Sequence, residues 1–396
     1  MIKKWIWPFY LLMLVFVSSG WALEMEMGEG QQTKIFGYGE LHYNDWDGKK
    51  SVSGGRGDVG AQLELHRFVI GIAHDFNDSI VFRGEIDLEH AFREPYVEYA
   101  YLEFRLNKAL AIRAGSLIMP VGFMNEVHEP PTFYSVERPD VEARVIPTTW
   151  PEGGVGVLGN AFPGLRYKIY VVSGLDAQAG FGGTANFATG FSAGNGLRGG
   201  RNKAADSPAQ DKAVVGRLEY TGFPGFKLGA SAYRGGADQG KIPGADVTVF
   251  LWEADAQVRL GGFEARAVYA QIDIDDVAAL NTAKKIKRVG EVVGAGETGP
   301  STSIGEEIYG WYAELAYHLI LGNHELVPFV RHERFNTQDA VPAGFTANPA
   351  NDMKVYTGGL AYFPHAQVVA KADYQGREDG TGNHSRQVNL GVGWMF

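Results

Sequence analysis

Long stretches of this chain alternate apolar and polar positions with a period of two. In Ile80–His90, Ile80, Phe82, Gly84, Ile86 and Leu88 share one face, and Val81, Arg83, Glu85, Asp87 and Glu89 share the other. Such alternation predicts a strand with one apolar and one wet side. The same split recurs in 97–106, 110–118, 165–174, 247–260 and 367–375, and more weakly in 35–44, 61–75, 154–160, 211–220, 226–235, 263–272, 309–319, 325–335 and 355–363. The last residues form one more strand: Val388, Leu390, Val392, Trp394 and Phe396 alternate with Gln387, Asn389, Gly391 and Gly393, Met395 being the exception. The expected total is sixteen strands.

The connections organise these strands. After every even-numbered strand the link is tight and built from turn residues: Asn77-Asp78-Ser79, Asn107-Lys108, Pro163-Gly164, Pro224-Gly225, Gly261-Gly262, Gly322-Asn323 and Pro364-His365-Ala366. The other links are long, at 45–60, 119–153, 175–210, 236–246, 273–307, 336–353 and 376–385, with one short exception near Phe92–Pro95. Tight links at one rim and long ones at the other predict an all-β, transmembrane, antiparallel up-and-down β-barrel with both termini at the turn rim. Two outward rows fit a lipid face with aromatic ends, Trp311-Ala313-Leu315-Tyr317 and Tyr356-Gly358-Leu360-Tyr362.

The N-terminus reads as a secretory signal peptide over 1–22: Lys3 and Lys4, an apolar run to Val17, then small residues ending at Ala22. Residues 23–34 are expected to form a short periplasmic lead and 35–396 the barrel. Removing the signal leaves 34 basic against 46 acidic residues, a net charge of −12, which argues against nucleic acid as a partner. Mean hydropathy is slightly negative, as expected where lipid-facing and water-facing residues alternate. Cysteine is absent.

Candidate chemistry is sparse. Gly154-Val155-Gly156-Val157-Leu158-Gly159 matches a dinucleotide fingerprint in letters but lacks the following helix, so it reads as a strand held close to a neighbour. Arg56-Gly57-Asp58 is read as an ordinary loop. His128-Glu129 and His324-Glu325 do not continue to a second metal-binding histidine, Thr132 and Pro328 standing in its place. Lys284, Lys285, Lys287 and Arg288 form a basic run that either is simply solvated or meets outer-leaflet glycolipid phosphates.

The inward rows carry many charges, among them Arg83, Glu85, Asp87, Arg105, Arg113, Arg166, Lys168, Arg259, Arg331 and Lys371. A charged row requires water or mutual pairing. The residues therefore line an aqueous pore, or stiffen the wall through pairs such as Arg83 with Glu85 and Lys371 with Asp373. About sixteen strands leave room for a channel. The third long loop, from Met119 to Gly153, is rich in proline and is expected to fold into the lumen. It carries Glu126, Glu129, Glu137, Asp140, Glu142 and Glu152 against Arg138 and Arg144, a net of −4.

FRGEIDLEHAF (82–92), YAYLEF (99–104), AGSLIMPV (114–121), the 137–159 stretch with ERP and IPTTWPEGGVGVLG, VPFVRHERF (327–335) and the terminal aromatic together resemble the porin O and P family of outer-membrane "phosphate-selective" porins. The resemblance implies a sixteen-stranded, trimeric barrel with its third loop in the pore. It also implies recognition of Phe396, beside Trp394, by the barrel-assembly machinery. The acidic third loop departs from the arginine ladder and lysine cluster expected for phosphate. Arg113, Arg138 and Arg144 are the candidate constriction residues if anions pass, and Glu126, Glu129 and Glu137 if cations do. The resulting expectation is a passive diffusion porin for small hydrophilic solutes or ions in a Gram-negative outer membrane, needing no cofactor. A rim-site barrel hydrolase and a non-conducting structural or adhesive barrel are the alternatives.

Overall fold

The computed structural model describes residues 23–26, 32–51, 58–178 and 189–396. Both the expected signal peptide and Arg56-Gly57 lie outside them. Sixteen strands form the wall: β1 Gln32–Ser51, β2 Asp58–Asp75, β3 Ile80–Glu89, β4 Glu94–Asn107, β5 Leu110–Ile118, β6 Pro151–Phe162, β7 Leu165–Ser173 and β8 Lys212–Tyr220. Then follow β9 Phe226–Gly236, β10 Thr248–Leu260, β11 Phe263–Ile274, β12 Glu307–Tyr317 with its continuation Leu319–Leu321, β13 His324–Ala340, β14 Asp352–His365, β15 Val368–Asp379 and β16 His384–Met395. Each pairs antiparallel with its neighbours, and β16 pairs with β1 from Gln387↔Trp46 to Met395↔Tyr38. Closure leaves no open wall edge, the condition for a sheet to stand in lipid. A short strand, Leu23–Glu26, pairs with the first residues of β1 at the turn rim.

The period-two reading of the wall holds. Leu315, Tyr317, Tyr356, Leu360, Tyr362, Val388, Leu390 and Val392 are exposed on the outer face, whereas Glu314, Lys371, Asp373 and Asn389 are buried inside. Among the described residues no helix is long and apolar enough to cross a membrane. Several strands outlast their apolar pattern: β1 reaches Ser51, β13 reaches Ala340, and β15 and β16 stop only at Asp379 and resume at His384. The links expected at 45–60, 336–353 and 376–385 are therefore shorter than the alternation suggested. Backbone pairing continues there through polar residues, since the ladder needs no apolar side chain.

Glycines allow the wall to pack closely. A Cβ on Gly156 would stand 2.2 Å from the Tyr170 ring and 2.3 Å from the Ile169 carbonyl oxygen. The glycine run at 154–159 is thus a strand under close neighbours, inside β6. The eight loop-rim links are called L1 to L8 in chain order; L2 is 90–93, L3 119–150, L4 174–211 and L6 275–306.

Candidate permeation site

L3 crosses the lumen and is tied to strands far around the wall. Its Gly122 N–H donates to Glu253 Oε2 on β10 at 3.3 Å and its Tyr134 hydroxyl to Glu264 on β11 at 2.9 Å. Tyr312 of β12 donates to Glu142 at 2.8 Å. Val141 N–H donates to Glu333 on β13 at 3.1 Å, and Val136 N–H to Asp373 on β15 at 2.6 Å. Ser135, near the middle of the loop, receives Arg331 Nη1 on its hydroxyl at 2.7 Å and Lys371 Nζ on its carbonyl at 2.9 Å. Wall charge thus satisfies the backbone groups of a loop that lies among side chains.

This corrects two expected pairs. Arg83 bridges to Asp75 at 2.7 Å rather than to Glu85, because parity on one strand is not proximity and Asp75 lies diagonally across on β2, two residues beyond Ala73, which faces Arg83. Lys371 serves the L3 backbone and stacks 3.5 Å over the Phe133 ring, while Asp373 accepts from Val136 and Asn389. Glu85 and Asp87 accept from Tyr99 at 2.6 Å and Tyr96 at 3.0 Å. Arg105 pairs with Glu103 at 3.0 Å, Arg259 with Glu325 at 3.6 Å and Arg166 with Glu219.

The inward rows change character along the strands. On β10 the order from the loop rim is Val249, Leu251, Glu253, Asp255; on β11, read from the same rim, it is Ile272, Ala270, Val268, Arg266. The apolar ends of these rows pack with Val141, Val145, Ile146 and Trp150 of L3, Leu175 and Leu197 of L4, and Val277 and Leu280 of L6 into one buried cluster. Each such side chain contributes about 1.5–3 kcal/mol on burial, so the loop-rim half of this sector is dry and shut.

Water-accessible space lies elsewhere, on both sides of L3. Toward the loop rim a cavity of about 280 Å³ lies between L3, L4 and the β1–β4 wall, lined by Glu40, His42, His66, Arg67, Glu89, Glu137, Arg138, Asp140, Arg198, Arg201, Lys203 and Arg377 among others. Toward the turn rim a cavity of about 290 Å³ is lined by Tyr101, Arg113, Glu126, Arg166, Lys168, Arg217, Glu219 and Lys227 among others. A further groove between Leu260, Phe263, Leu315 and Val330 belongs to the outer apolar wall.

The six expected constriction residues are therefore divided. Arg113 and Glu126 lie on the turn-rim side, Arg113 against Glu103 at 2.7 Å and Glu126 against Lys168 at 2.5 Å. Glu137 and Arg138 lie on the loop-rim side, Glu137 3.5 Å from His42 and Arg138 bonded to Thr149 Oγ1 at 3.2 Å. Arg144 turns to Asp140 at 3.5 Å and to L4. Glu129 is half-buried, with Oε2 lacking a hydrogen-bond partner.

The acidity of L3 is also largely internal. Glu142 is sealed; burial pushes its carboxyl up to about 7 although the Met124 amide and Tyr312 hydroxyl favour the anion. Burial alone raises Asp140 too, but Arg377 and Arg144 outweigh it and hold the carboxyl below the usual range. Glu152 is buried among Trp150, Ser173 and Asn202. The basic partners came from elsewhere. L4 supplies Arg198, Arg201 and Lys203, the first donating to Ala143 O at 3.1 Å and the second to Pro147 O at 3.3 Å. Burial and the neighbouring Arg201 pull Lys203 down to about 8. The basic run 198–203 carried the signal in the sequence; its arrival over L3 did not.

No protein-family model matches the chain. An uncharacterized protein of Aquifex aeolicus (strain VF5) is 28% identical over 377 residues, covering 91% of this chain and 79% of its own length. Among solved structures, the outer membrane channel DcaP of Acinetobacter baumannii has a TM-score of 0.58 at 12% identity, covering 94% of this chain and 99% of that one. An anion-selective porin from Comamonas acidovorans has 0.57 at 9%, covering 92% and 100%. OmpT of Vibrio cholerae, in a trimer form, has 0.57 at 12%, covering 93% and 100%. These likenesses establish the fold: a closed sixteen-stranded barrel of the outer-membrane porin type.

Proposed function

We propose that this protein is an outer-membrane channel for passive diffusion of small hydrophilic solutes. The observation that carries the reading is L3, anchored across the lumen yet leaving a charge-lined cavity on each side of it. The dry cluster closes the loop-rim half of the β7–β12 sector, so solute passes the loop-rim half along the β1–β4 wall and the turn-rim half through the cavity between β4 and β9. A passive path needs no turnover, only size exclusion at L3 and a field set by the wall. Arg138, Arg198, Arg201, Lys203 and Arg377 outnumber the carboxylates that remain open to the outer cavity, so small anions, inorganic phosphate among them, are the favoured ions. The names of DcaP and the Comamonas porin agree with a channel reading, and the trimer form of OmpT with a homotrimer.

Planar-bilayer recording tests this. Purified trimers are expected to give stepwise conductance, with a reversal potential in a KCl gradient on the anion side and measurable phosphate current. A silent barrel would remove the channel reading; a cation-side reversal potential would leave the channel and remove the anion preference.

A further inference from the structure

Two histidines reach the outer cavity only because the wall is irregular. Between β1 and β2 the register runs Glu40↔Arg67 and then Leu41↔Leu65, so His66 is an extra residue in a β-bulge. Arg67 and Val69 face inward, and strict alternation would put His66 and Glu64 on the lipid side. The bulge resets the parity: Glu64 now pairs with the inward His42, while Leu63 and Leu65 take the outer face. Bulges re-aim side chains in this way and cluster beside functional sites.

His90 completes the group from the neighbouring strand pair. It stands at the entry to L2 with a left-handed backbone, φ 51°, and its N–H donates to His66 O at 3.0 Å. Its Nδ1 lies 2.7 Å from Glu64 Oε1, and His66 Nδ1 lies 3.5 Å from Glu64 Oε2. One donor atom from each of the three residues lies within 4.8 Å of the other two. His42 stacks on His66 at 4.6 Å and fixes its ring plane. All three side chains are partly open to water.

We infer that Glu64, His66 and His90 form a binding site for a borderline divalent transition-metal ion, of the Zn²⁺ class, on the wall of the outer cavity. Two imidazoles and one carboxylate suit that class. Tetrahedral coordination at about 2.1 Å separates donors by about 3.4 Å, so donor atoms that already lie within 4.8 Å of one another need to close by about 1.4 Å at most, within reach of side-chain rotation. Calcium and magnesium prefer all-oxygen cages and are not expected to compete. Of the two other histidine–carboxylate groups among the described residues, Glu89, His90 and Glu94 shares His90 and offers only one imidazole, whereas Glu85, Glu98 and His128 is fully buried and already occupied in pinning L3 through the Glu98–His128 bridge at 2.7 Å.

The test is calorimetric titration of the refolded full-length barrel in detergent with ZnCl₂ and, separately, CaCl₂. Zinc is expected to bind at roughly one per chain, with calcium silent. The pair His66→Gln/His90→Gln, shown folded by heat-dependent gel mobility, is expected to lose about tenfold or more in affinity, while His365→Gln/His384→Gln binds as the natural protein does. Should the first pair fail to fold, the near-isosteric Glu64→Gln takes its place with the same expectation. No zinc binding by the natural protein, or undiminished binding by the folded variant, overturns the inference.

Discussion

Phe396 and Gly37 exchange both backbone hydrogen bonds, Gly37 N–H to Phe396 O at 3.0 Å and Phe396 N–H to Gly37 O at 2.8 Å. The last residue of the chain thereby closes the barrel. Its ring also covers Gly37: a Cβ there would stand 2.9 Å from the Phe396 ring and 2.3 Å from the Val69 carbonyl oxygen.

Gly37→Ala should therefore weaken closure from the strand side. The backbone oxygen cannot turn away as a side chain can, and overpacking of this kind costs about 1–3 kcal/mol. The expected result is a lower urea midpoint, with deletion of Phe396 reducing the yield of folded barrel further. Pores that do form should conduct as before, because neither residue is among those lining the two cavities beside L3. Unchanged unfolding of Gly37→Ala would contradict the account of the seam.

Arg331 holds L3 at Ser135 and also neutralises Glu314 at 3.1 Å and Glu333 at 2.8 Å, all buried. Arg331→Met strands two carboxylates and frees the loop. A loss of about 3–5 kcal/mol in unfolding free energy is expected, together with noisier single-channel current. A quiet trace of natural conductance would show that L3 is held without it.

Glu142 gives L3 a pH dependence. Burial keeps its carboxyl neutral up to about 7 in the folded protein, against an ordinary 4.5 when unfolded. The folded state therefore binds the extra proton between those values, and stability falls as pH rises through that window. The full effect is on the order of 3 kcal/mol. Glu142→Gln should flatten the dependence of the urea midpoint between pH 4.5 and 7.

The outer cavity should owe its ion preference to L4. At about 6 Å in a water-like medium one positive charge attracts a monovalent anion by about 0.7 kcal/mol, roughly threefold in occupancy. Lys203→Gln should move the reversal potential toward the cation side by that order. In the natural protein the anion preference should weaken as pH rises through about 8, where Lys203 loses its proton; in Lys203→Gln that step should vanish.

The alternation of apolar and polar positions was by itself enough to give the strands, their inward and outward faces and the division of turns and loops between the rims. Each of these depends on neighbours one or two residues apart, or on turn chemistry confined to two or three residues. The proline-rich stretch after β5 also marked L3 as a shaped loop. What the sequence could not carry was partnership across the lumen. Lys371 meets Ser135 rather than Asp373, Glu142 is sealed against Tyr312, and L4 brings Arg198 and Arg201 onto L3 carbonyls; each contact joins positions tens to hundreds of residues apart. The extra residue at His66 was invisible for a related reason. A bulge is defined by two strands read against each other, and only in the closed barrel does it turn Glu64 and His66 from the lipid toward water.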